Sequence, residues 1–334
     1  MDNLSIGIVG AGNWGTTLAL YINRKSIKVI LYEYFRERTE RLRLERENKE
    51  FLPGYRISED IVITNEPEEL VKNSTSIFFV LPSHALKNVL SLFSEYINDE
   101  IICSFIKGID PDTLQRMSQV LEEKIPQAKN KVVVVSGPSI AREVAKGIPT
   151  SLVAASRDIK RAEIVQKILS GEKMRVYTSS DIVGVELGGS LKNVYAIASG
   201  ICDGMELGMN AKAALITRSM AELKRLGIKM KGESETFAGL SGFGDLIATS
   251  FSPYSRNRTV GERLGRGEGL NEILDDMVEV AEGVRTTKST CKLSDRYNIE
   301  MPIAREVFSV LFENKNPRTS IGDLMQRDLK REKR

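Results

Sequence analysis

The chain has 334 residues, 41% of them hydrophobic, so it can bury the cores of two domains without disulfides or metal ions. Lys and Arg number 48 against 45 Asp and Glu, which leaves a formal net charge of +3. This near balance argues against a nucleic-acid-binding protein and against a polybasic membrane-surface protein.

The cysteines and the single histidine have no metal-site or disulfide spacing. Cys103, Cys202 and Cys291 stand far apart, so we expect them to be small core residues. His84 cannot build a metal site alone, and we expect it at the surface or at a helix start. No basic segment precedes the first apolar strand, and no apolar run is long enough to span a membrane, so we predict a cytoplasmic protein without a bound metal.

A strand, a glycine turn and a helix open the chain. The apolar residues 4–9 are followed by GAGNWG and then by a helical pattern. Gly10, Gly12 and Gly15 hold the first, third and sixth places of the dinucleotide-binding fingerprint, where they permit the tight turn, the approach of a pyrophosphate and the packing of helix on strand. This pattern predicts a nicotinamide dinucleotide site.

The second predicted strand, residues 28–32, ends at Glu33. An acid at this position accepts hydrogen bonds from the adenosine ribose and repels a 2′-phosphate, which favours NAD over NADP. Tyr34 can stack on adenine. Two alternatives stay open: Arg36 and Arg38 can meet a 2′-phosphate, and Glu33 can be a plain surface acid.

Strand-like runs alternate with charged helical segments through the first half of the chain. The predicted strands are 61–64, 76–81, 101–105, 131–135 and 151–155, and predicted helices between them include 66–72, 112–124 and 158–169. The alternation predicts an α/β fold in which residues 1–184 form an N-terminal Rossmann-like doubly wound sheet. Ligands are expected at the carboxyl ends of its strands.

Three strand-end loops carry residues suited to ligands. They are LPS at 81–83, Lys107-Gly108, and SGPS at 136–139. The last loop leads into a predicted helix, whose first backbone N–H groups suit an anionic or polyhydroxy ligand. The alternative for this loop is a simple proline-directed helix cap.

Strand signals fade after Asp181, and residues 185–334 are predicted to form an all-helical C-terminal domain. The predicted helices are 185–203, 210–226, 270–280, 286–296 and 303–312. Between them lies GLSGFGDLIATSFSPYSRNR at 239–258, which we interpret as a functional loop because it is rich in Gly, Ser and charged groups.

Lys192 lies where the two predicted domains meet, in the sequence GGSLKNVYAIASGICDG. We interpret residues 188–190 as a flexible lead-in, after which apolar residues recur on one helical face. Lys192 then falls in the first turn of a half-buried helix, where the helix dipole and partial desolvation both lower a lysine pKa. This predicts the proton donor of a dehydrogenase. The alternative is a solvated lysine near a helix start.

With these pieces in order, the chain resembles the NAD(P)-dependent glycerol-3-phosphate dehydrogenases of the bacterial soluble type over nearly its whole length. The resemblance rests on eight segments: GAGNWG, NKEFLPG, LPS, IKGI, SGPSIARE, LKNVYAIASGICDG, GLSGFGDLIATSFSPYSRNR and VAEGVRTT. It implies the reversible NAD(P)H-dependent reduction of dihydroxyacetone phosphate to sn-glycerol 3-phosphate, which supplies glycerophospholipid synthesis.

The resemblance also implies roles for matching residues. Lys192 matches the catalytic lysine, Asp245 an acid that orients its ammonium, and Lys107 a lysine that contacts cofactor and substrate. The implied substrate-binding residues are Lys107, Gly137, Ser139, Lys192, Asp245, Thr249 and the phosphate-binding SRN element Ser255, Arg256 and Asn257. The implied cofactor-binding residues are listed together with the glycines, Glu33 and Tyr34 that the sequence pattern already indicated. They are Gly10, Gly12, Asn13, Trp14, Gly15, Glu33, Tyr34, Lys107, Ala141, Arg256, Val280 and Glu282.

The sequence departs from the family pattern in two places. Bacterial members often have a small residue and then Arg or His where Glu33 and Tyr34 stand, so the case for NADPH is weakened and NAD is favoured. The loop before FLPG is a looser match, and we assign no ligand to it.

Two other functions stay open from the sequence. A reductase with the same two-part plan, such as a 3-hydroxyacid or ketopantoate reductase, would prefer a non-phosphorylated oxo acid. A nucleotide-sensing protein would bind NAD without turnover, and it would leave the SRN element unexplained. The apolar faces of the helical domain could pair two subunits, so a homodimer is a further expectation.

Overall fold

The computed structural model describes residues 4–329 and 331–332. The strands in this part of the chain are β1 (Ser5–Val9), β2 (Lys28–Tyr32), β3 (Glu47–Asn48), β4 (Leu52–Arg56), β5 (Ile61–Thr64), β6 (Ser76–Phe79), β7 (Ile101–Ser104), β8 (Val133–Ser136), β9 (Thr150–Ala155) and β10 (Met174–Ser179). The helices among the strands are α1 (Asn13–Asn23), α2 (Arg36–Glu45), α3 (Pro67–Lys72), α4 (Leu86–Phe93), α5 (Met117–Lys124), α6 (Ala141–Ala145) and α7 (Ile159–Leu169).

Only helices follow β10 in the described residues. They are α8 (Ile182–Gly204), α9 (Gly208–Lys229), α10 (Ser234–Ala238), a π-helical turn (Leu240–Gly244), α11 (Asp245–Phe251), α12 (Arg256–Gly265), α13 (Leu270–Asp275), α14 (Glu282–Tyr297), α15 (Pro302–Phe312) and α16 (Pro317–Met325). In the same residues, no helix is both long enough and apolar enough to cross a membrane.

One eight-stranded sheet has the order β10-β9-β8-β7-β6-β1-β2-β5. Its neighbouring strands are parallel except for β8 and β9, which are antiparallel. The chain runs outward from β1 in one direction through β2 and β5, and then in the other direction through β6, β7 and β8. Such a reversal opens a crevice at the carboxyl ends of β1 and β6, where doubly wound sheets bind ligands.

Helices cover both faces of this sheet because successive strand residues point to opposite sides. Ile8 of β1 belongs to a buried cluster with Leu18 of α1 and Val165 of α7. Its neighbour Val9 belongs to a different cluster, with Leu90 of α4. The alternation confirms the predicted α/β class, with a doubly wound sheet followed by an all-helical region.

The helix α8 is the centre of the helical region, and nearly all of its 23 residues are buried. It crosses α12 so closely that glycine is required on both helices. A Cβ on Gly261 would lie 1.9 Å from the carbonyl oxygen of Ile197, and one on Gly200 would lie 2.0 Å from that of Arg258. The crossing therefore packs α12 against the last third of α8.

A buried carboxylate joins α8 to the sheet half. Glu186 accepts hydrogen bonds from Arg116 Nη1 at 2.6 Å, Ser118 N at 2.7 Å and Ser118 Oγ at 2.6 Å, all at the start of α5. Breaking a buried ion pair of this kind typically costs about 3–5 kcal/mol. Glu186 thus fixes the orientation of α8 less than two turns before Lys192.

Several predicted elements differ from the observed ones in the first half. The prediction missed the β3–β4 hairpin and also β10, an edge strand whose inner residues alternate with exposed ones such as Arg175. The helix predicted over 112–124 spans only Met117–Lys124. Asp110 Oδ1 accepts hydrogen bonds from the backbone N–H groups of Asp112 and Thr113 at 3.2 and 2.8 Å, which holds the preceding residues in a turn.

The helical half contains the larger difference. The interpretation of residues 239–258 as a loop was wrong, because the π-helical turn, α11 and the first turn of α12 occupy most of it. The helix predicted over 270–280 ends at Asp275. Glycine and serine in this segment allow close helix contacts, and a sequence pattern alone does not distinguish that use from a mobile loop.

Candidate active site

Lys192 lies three turns into α8 and not at its start. The helix begins at Ile182, where Asp181 Oδ1 accepts a hydrogen bond from Gly184 N at 2.7 Å. The predictions of a first-turn lysine, a half-buried helix and a flexible lead-in over 188–190 were therefore wrong. Since the helix dipole acts within the first turn, it cannot lower the pKa of Lys192 as predicted.

The glycines before Lys192 have a packing role instead. A Cβ on Gly188 would lie 2.7 Å from the carbonyl oxygen of Ser241, and one on Gly189 would lie 2.2 Å from Ser136 Oγ. These contacts bring α8 against the π-helical turn and against the carboxyl end of β8. They place Lys192 close to the crevice of the sheet.

Asp245 holds two ammonium groups. Lys192 Nζ donates to Asp245 Oδ1 at 2.5 Å and to Thr249 Oγ1 at 2.5 Å. Lys107 Nζ donates to Asp245 Oδ2 at 2.6 Å and to the carbonyl oxygen of Gly137 at 3.3 Å. Lys192 and Asp245 are only 5% and 2% exposed. We name these residues the lysine–carboxylate cluster: Lys107, Lys192, Asp245 and Thr249.

Burial lowers the pKa of Lys192 from its ordinary value to about 7. The Asp245 carboxylate opposes this effect by favouring the charged form, whereas the Lys107 ammonium adds to the lowering. The direction and the desolvation agree with the prediction, whereas the predicted contribution of a helix N-terminus was wrong, because Lys192 lies three turns into α8. A lysine of this pKa can both give and take a proton near neutral pH.

The cluster forms where secondary-structure elements converge. Lys107 lies just after β7 and Gly137 just after β8, which are neighbours in the sheet. Asp245 and Thr249 lie four residues apart, so they share one face of α11. The cluster is thus at the carboxyl edge of the sheet, as the doubly wound plan predicts.

The SRN element begins α12 and is joined to the lysine segment through Asn193. Asn257 Nδ2 donates to Asn193 Oδ1 at 3.0 Å, and Asn257 Oδ1 accepts from Gly283 N at 2.8 Å. Ser255 caps the helix, its Oγ accepting from Arg258 N at 3.3 Å. Asn257 is therefore held by internal partners, and one of its two amide N–H groups has no partner among the described residues.

The glycine turn has the three features that a dinucleotide requires. Gly10 has φ +115°, and a Cβ there would lie 2.3 Å from the carbonyl oxygen of Val80. A Cβ on Gly15 would lie 1.8 Å from the carbonyl oxygen of Gly10, so only glycine lets α1 pack on the turn. A Cβ on Gly12, by contrast, would meet no described atom within 4 Å apart from those of its own residue and its two chain neighbours. The turn therefore fits a bound nicotinamide dinucleotide.

Sequence comparisons agree with this combination of a glycine turn and a lysine–carboxylate cluster. The profile of the NAD-dependent glycerol-3-phosphate dehydrogenase N-terminus matches residues 5–162, and that of the C-terminus matches residues 181–322. The chain belongs to this dehydrogenase family. It is an oxidoreductase with NAD or NADP as its cofactor.

Relatives match the dehydrogenase over its whole length. Glycerol-3-phosphate dehydrogenase [NAD(P)+] of Syntrophotalea carbinolica is 46% identical, over 98% of this chain and 99% of its own. That of Thermoanaerobacter sp. is 44% identical, over 98% and 99%. The crystal structure of glycerol-3-phosphate dehydrogenase from Coxiella burnetii is 36% identical with a TM-score of 0.91, covering 97% of this chain and 99% of the other.

The residues expected at the adenosine end of the cofactor lie together after β2. Glu33 is buried, its Oε1 accepts from Phe35 N at 3.1 Å, and its Oε2 lies 3.7 Å from Arg38 Nη2. Burial raises the pKa of Glu33, whereas the Phe35 N–H and the Arg38 guanidinium oppose that rise. Tyr34 is 51% exposed, which leaves its ring open to stacking.

Three other residues expected at the cofactor, Trp14, Ala141 and Glu282, lie on helices from both halves of the chain. Trp14 packs edge-on against Phe105, at 6.4 Å between ring centroids, just before the Lys107 loop. Helix α6, which starts at Ala141, packs on α1. Glu282 Oε1 and Oε2 accept from Ser83 N and Ser83 Oγ, both at 2.7 Å, which joins α14 to the LPS loop after β6.

The structure also locates the remaining site residues. Ser139 Oγ donates to the carbonyl oxygen of Gly137 at 3.0 Å, which holds the SGPS loop beside Lys107. Arg256 Nη1 donates to the carbonyl oxygen of Val280 at 3.1 Å and lies 3.1 Å from Glu279 Oε2.

Within the described residues, no group of three or more His, Cys, Asp or Glu side chains is arranged to hold a metal ion.

Three site residues were missed from the sequence. Asn193 follows Lys192 directly, and its place in LKN was the available signal. Asn48 lies in the loop to which no ligand was assigned, and its Nδ2 donates to Ala11 O at 2.7 Å and Thr16 Oγ1 at 2.8 Å, which supports the glycine turn. Glu279 had no signal, because it is one of several acids in the segment 270–280 and lies outside every motif quoted above.

Proposed function

We propose that the chain catalyses the reversible reduction of dihydroxyacetone phosphate to sn-glycerol 3-phosphate, a precursor of glycerophospholipids. The observation that carries the proposal is the lysine–carboxylate cluster, in which Asp245 binds Lys192 at 2.5 Å and Lys107 at 2.6 Å next to a dinucleotide turn. The residue roles below are part of the proposal.

Reduction of the C2 carbonyl needs a proton as well as a hydride. The nicotinamide, when bound, supplies the hydride. Lys192 donates a proton from Nζ to the C2 oxygen, and in the oxidation direction the neutral amine takes that proton from the C2 hydroxyl. The pKa of about 7 makes both forms of Lys192 available near neutral pH.

The cluster also stabilises the charge that develops on the C2 oxygen. The Lys192 and Lys107 ammonium groups provide a positive field in a site from which burial excludes much of the water. Asp245 holds the two cations in place and offsets their mutual repulsion. Thr249 accepts a further Lys192 hydrogen bond, so the remaining Lys192 N–H is directed to the substrate.

The SRN element binds the substrate phosphate. Arg256 offers a guanidinium that is 47% exposed, and Ser255 and Asn257 add a hydroxyl and an amide at the start of α12. Binding of this remote group positions C2 against Lys192. Gly137 and Ser139 lie beside Lys107 and line the substrate's carbon chain.

We further propose that NADH is preferred to NADPH. The support is Glu33, a carboxylate at the end of β2 where the adenosine ribose lies in this fold. A 2′-phosphate would meet this negative charge. Comparison of kcat/KM for the two reduced cofactors tests the preference, and a higher value with NADPH would contradict it.

Three broader proposals concern organisation. The boundary between the cofactor domain (1–184) and the helical substrate domain (185–334) is supported by the start of α8 at Ile182. A homodimer is supported by exposed apolar residues such as Met209 and Ile228 on α9, and light scattering should give twice 37.2 kDa. A cytoplasmic location is supported by cysteines that are all free and buried.

The test of function is the oxidation of NADH followed by absorbance, with dihydroxyacetone phosphate and with dihydroxyacetone. We expect turnover with the phosphorylated ketone alone. Lys192→Ala should lower kcat about 10²–10⁴-fold with NADH affinity unchanged, whereas the exposed Lys224→Ala on α9 should behave as the parent. Preference for an oxo acid would indicate another reductase, and cofactor binding without turnover would indicate a sensor.

A further inference from the structure

Glu279 joins the two halves of the site. Its Oε1 accepts a hydrogen bond from Asn13 Nδ2 at 3.3 Å, and its Oε2 lies 3.1 Å from Arg256 Nη1. Asn13 begins α1 in the glycine turn, and Arg256 begins α12 in the SRN element. One carboxylate therefore contacts a residue expected at the cofactor and a residue expected at the substrate phosphate.

The contact orients Arg256 without using up its donors. Arg256 Nη1 makes both contacts that the described residues give this guanidinium, to Glu279 Oε2 and to the carbonyl oxygen of Val280. The Nε and Nη2 groups are left to bind an anion in bidentate fashion. Because long side chains lose conformational freedom when they bind, an arginine that is already held binds a phosphate at lower entropic cost.

Asn13 provides a second observation. Its Oδ1 is buried and has no hydrogen-bond partner among the described residues. A buried amide oxygen without a partner is unfavourable, so a ligand that moves the Asn13 side chain and gives its Oδ1 a hydrogen-bond partner would relieve this cost. Any movement of Asn13 is transmitted to Glu279, because Asn13 Nδ2 donates to it.

We propose that Glu279 is a positioning residue that couples cofactor binding at the glycine turn to the phosphate-binding arginine. The proposal rests on the function proposed above. Occupation of the glycine turn holds Asn13, Asn13 holds Glu279, and Glu279 holds Arg256 in the orientation that receives the substrate phosphate. By linkage, the substrate must tighten cofactor binding by the same factor.

The experiment measures the NADH dissociation constant by fluorescence, with and without saturating sn-glycerol 3-phosphate. NADH and sn-glycerol 3-phosphate are each the reduced form, of the cofactor and of the substrate, so no hydride can pass between them and they bind together without turnover. In the parent chain, sn-glycerol 3-phosphate should tighten NADH binding about fivefold or more. In Glu279→Ala the ratio should fall close to one, and the KM for dihydroxyacetone phosphate should rise about tenfold with kcat changed less than about threefold.

Glu279→Gln is the conservative variant. A glutamine Oε1 can accept from Arg256. Asn13 Nδ2 faces this side chain in the parent, so the Asn13 amide must turn over for its Oδ1 to accept the glutamine N–H, and both links are then retained without the charge. The coupling should return in this variant, and the phosphate should bind at least as tightly as in the parent because a nearby negative charge is gone. Glu163→Ala, an exposed carboxylate on α7, is the matched control and should leave both quantities unchanged.

The outcomes separate the two proposals. If the parent does not turn over dihydroxyacetone phosphate, the proposed function fails. If the parent is active but shows no coupling, or if Glu279→Ala keeps the parent coupling and KM, the function stands and the role of Glu279 is overturned. A loss in kcat alone, without a change in KM, would likewise overturn it.

Discussion

Replacement of Asp245 by asparagine should change the pH dependence of the enzyme as well as its rate. Asp245 is 2% exposed, and its two oxygens bind Lys192 and Lys107. Asp245→Asn keeps the shape of the side chain but removes the negative charge between two ammonium groups. Lys192 then keeps its burial and its repulsion from Lys107, and both favour the neutral amine.

The expected size follows from the geometry. Loss of an opposite charge at hydrogen-bond distance weakens the proton affinity of a partner by about ten- to a thousandfold. With a pKa of about 7, Lys192 is about half protonated at neutral pH in the parent, so the protonated fraction should fall to about one in ten or less. Together with poorer orientation of the amine, kcat/KM for reduction should fall about 10²–10⁴-fold.

The assay is kcat/KM for dihydroxyacetone phosphate reduction between about pH 5.5 and about pH 9. Reduction uses protonated Lys192, so the parent rate should decline as pH rises through about 7, and oxidation of sn-glycerol 3-phosphate should rise through the same range. In Asp245→Asn the decline should move to lower pH. The ionisation of the substrate phosphate is common to both enzymes, so the difference between the profiles reports the protein.

Thr249→Val is the control, because it removes a hydrogen-bond acceptor of Lys192 and leaves every charge in place. It should lower the rate less and leave the decline where it is in the parent. NADH affinity and circular dichroism establish that Asp245→Asn is folded. A folded Asp245→Asn enzyme whose rate declines at the same pH as the parent would refute the electrostatic reasoning.

Three further predictions concern binding and stability. Arg256→Ala should raise the KM for dihydroxyacetone phosphate about 10²-fold and leave any activity on dihydroxyacetone unchanged, so an unchanged KM would refute the phosphate role. Gly261→Ala, whose Cβ would lie 1.9 Å from Ile197 O, should lower the free energy of unfolding in urea by about 3 kcal/mol or more. Gly322→Ala on α16 is the control, because its Cβ would meet no described atom within 4 Å outside its own helix, and it should change the free energy by less than about 1 kcal/mol. Burial raises the pKa of Glu222 from 4.5 to about 7, so its contribution to stability is present below about pH 4.5 and is lost as pH rises through about 7. Glu222→Gln should remove up to about 3 kcal/mol of this loss in the free energy of unfolding between about pH 5 and about pH 8. An equal pH dependence of that free energy in the parent and the variant would contradict the reasoning.

The glycine turn shows what sequence alone can specify. The spacing of its three glycines is a local signal, and the structure gives Gly10 a positive φ and gives Gly15 a close contact with Gly10, as the fingerprint predicts. The close contact of Gly10 with Val80 lies outside this local pattern. The alternation of strands and helices likewise predicted the α/β class, because hydrophobic periodicity is a local signal. Recognition of the eight family segments then supplied the candidate residues.

The start of α8 shows where local reasoning failed. Two adjacent glycines before Lys192 were interpreted as a flexible lead-in, since glycine lowers helix propensity. In the structure they are buried helix interior, because Ser241 and Ser136 approach too closely for any side chain. Tertiary packing overrode propensity, and of the two causes predicted for the low pKa of Lys192, the helix dipole and desolvation, only desolvation remains.

The sequence by itself determined the fold class, the dinucleotide turn and the family, because each depends on residue types in a fixed order. The tertiary structure decided the chemistry of the site. The contacts Lys192–Asp245, Lys107–Asp245 and Asn13–Glu279 join residues that are 53, 138 and 266 positions apart. No local periodicity reports such pairs, since they form only when the sheet crevice and the buried helices bring distant segments together, and burial of those segments is what lowers the pKa of Lys192.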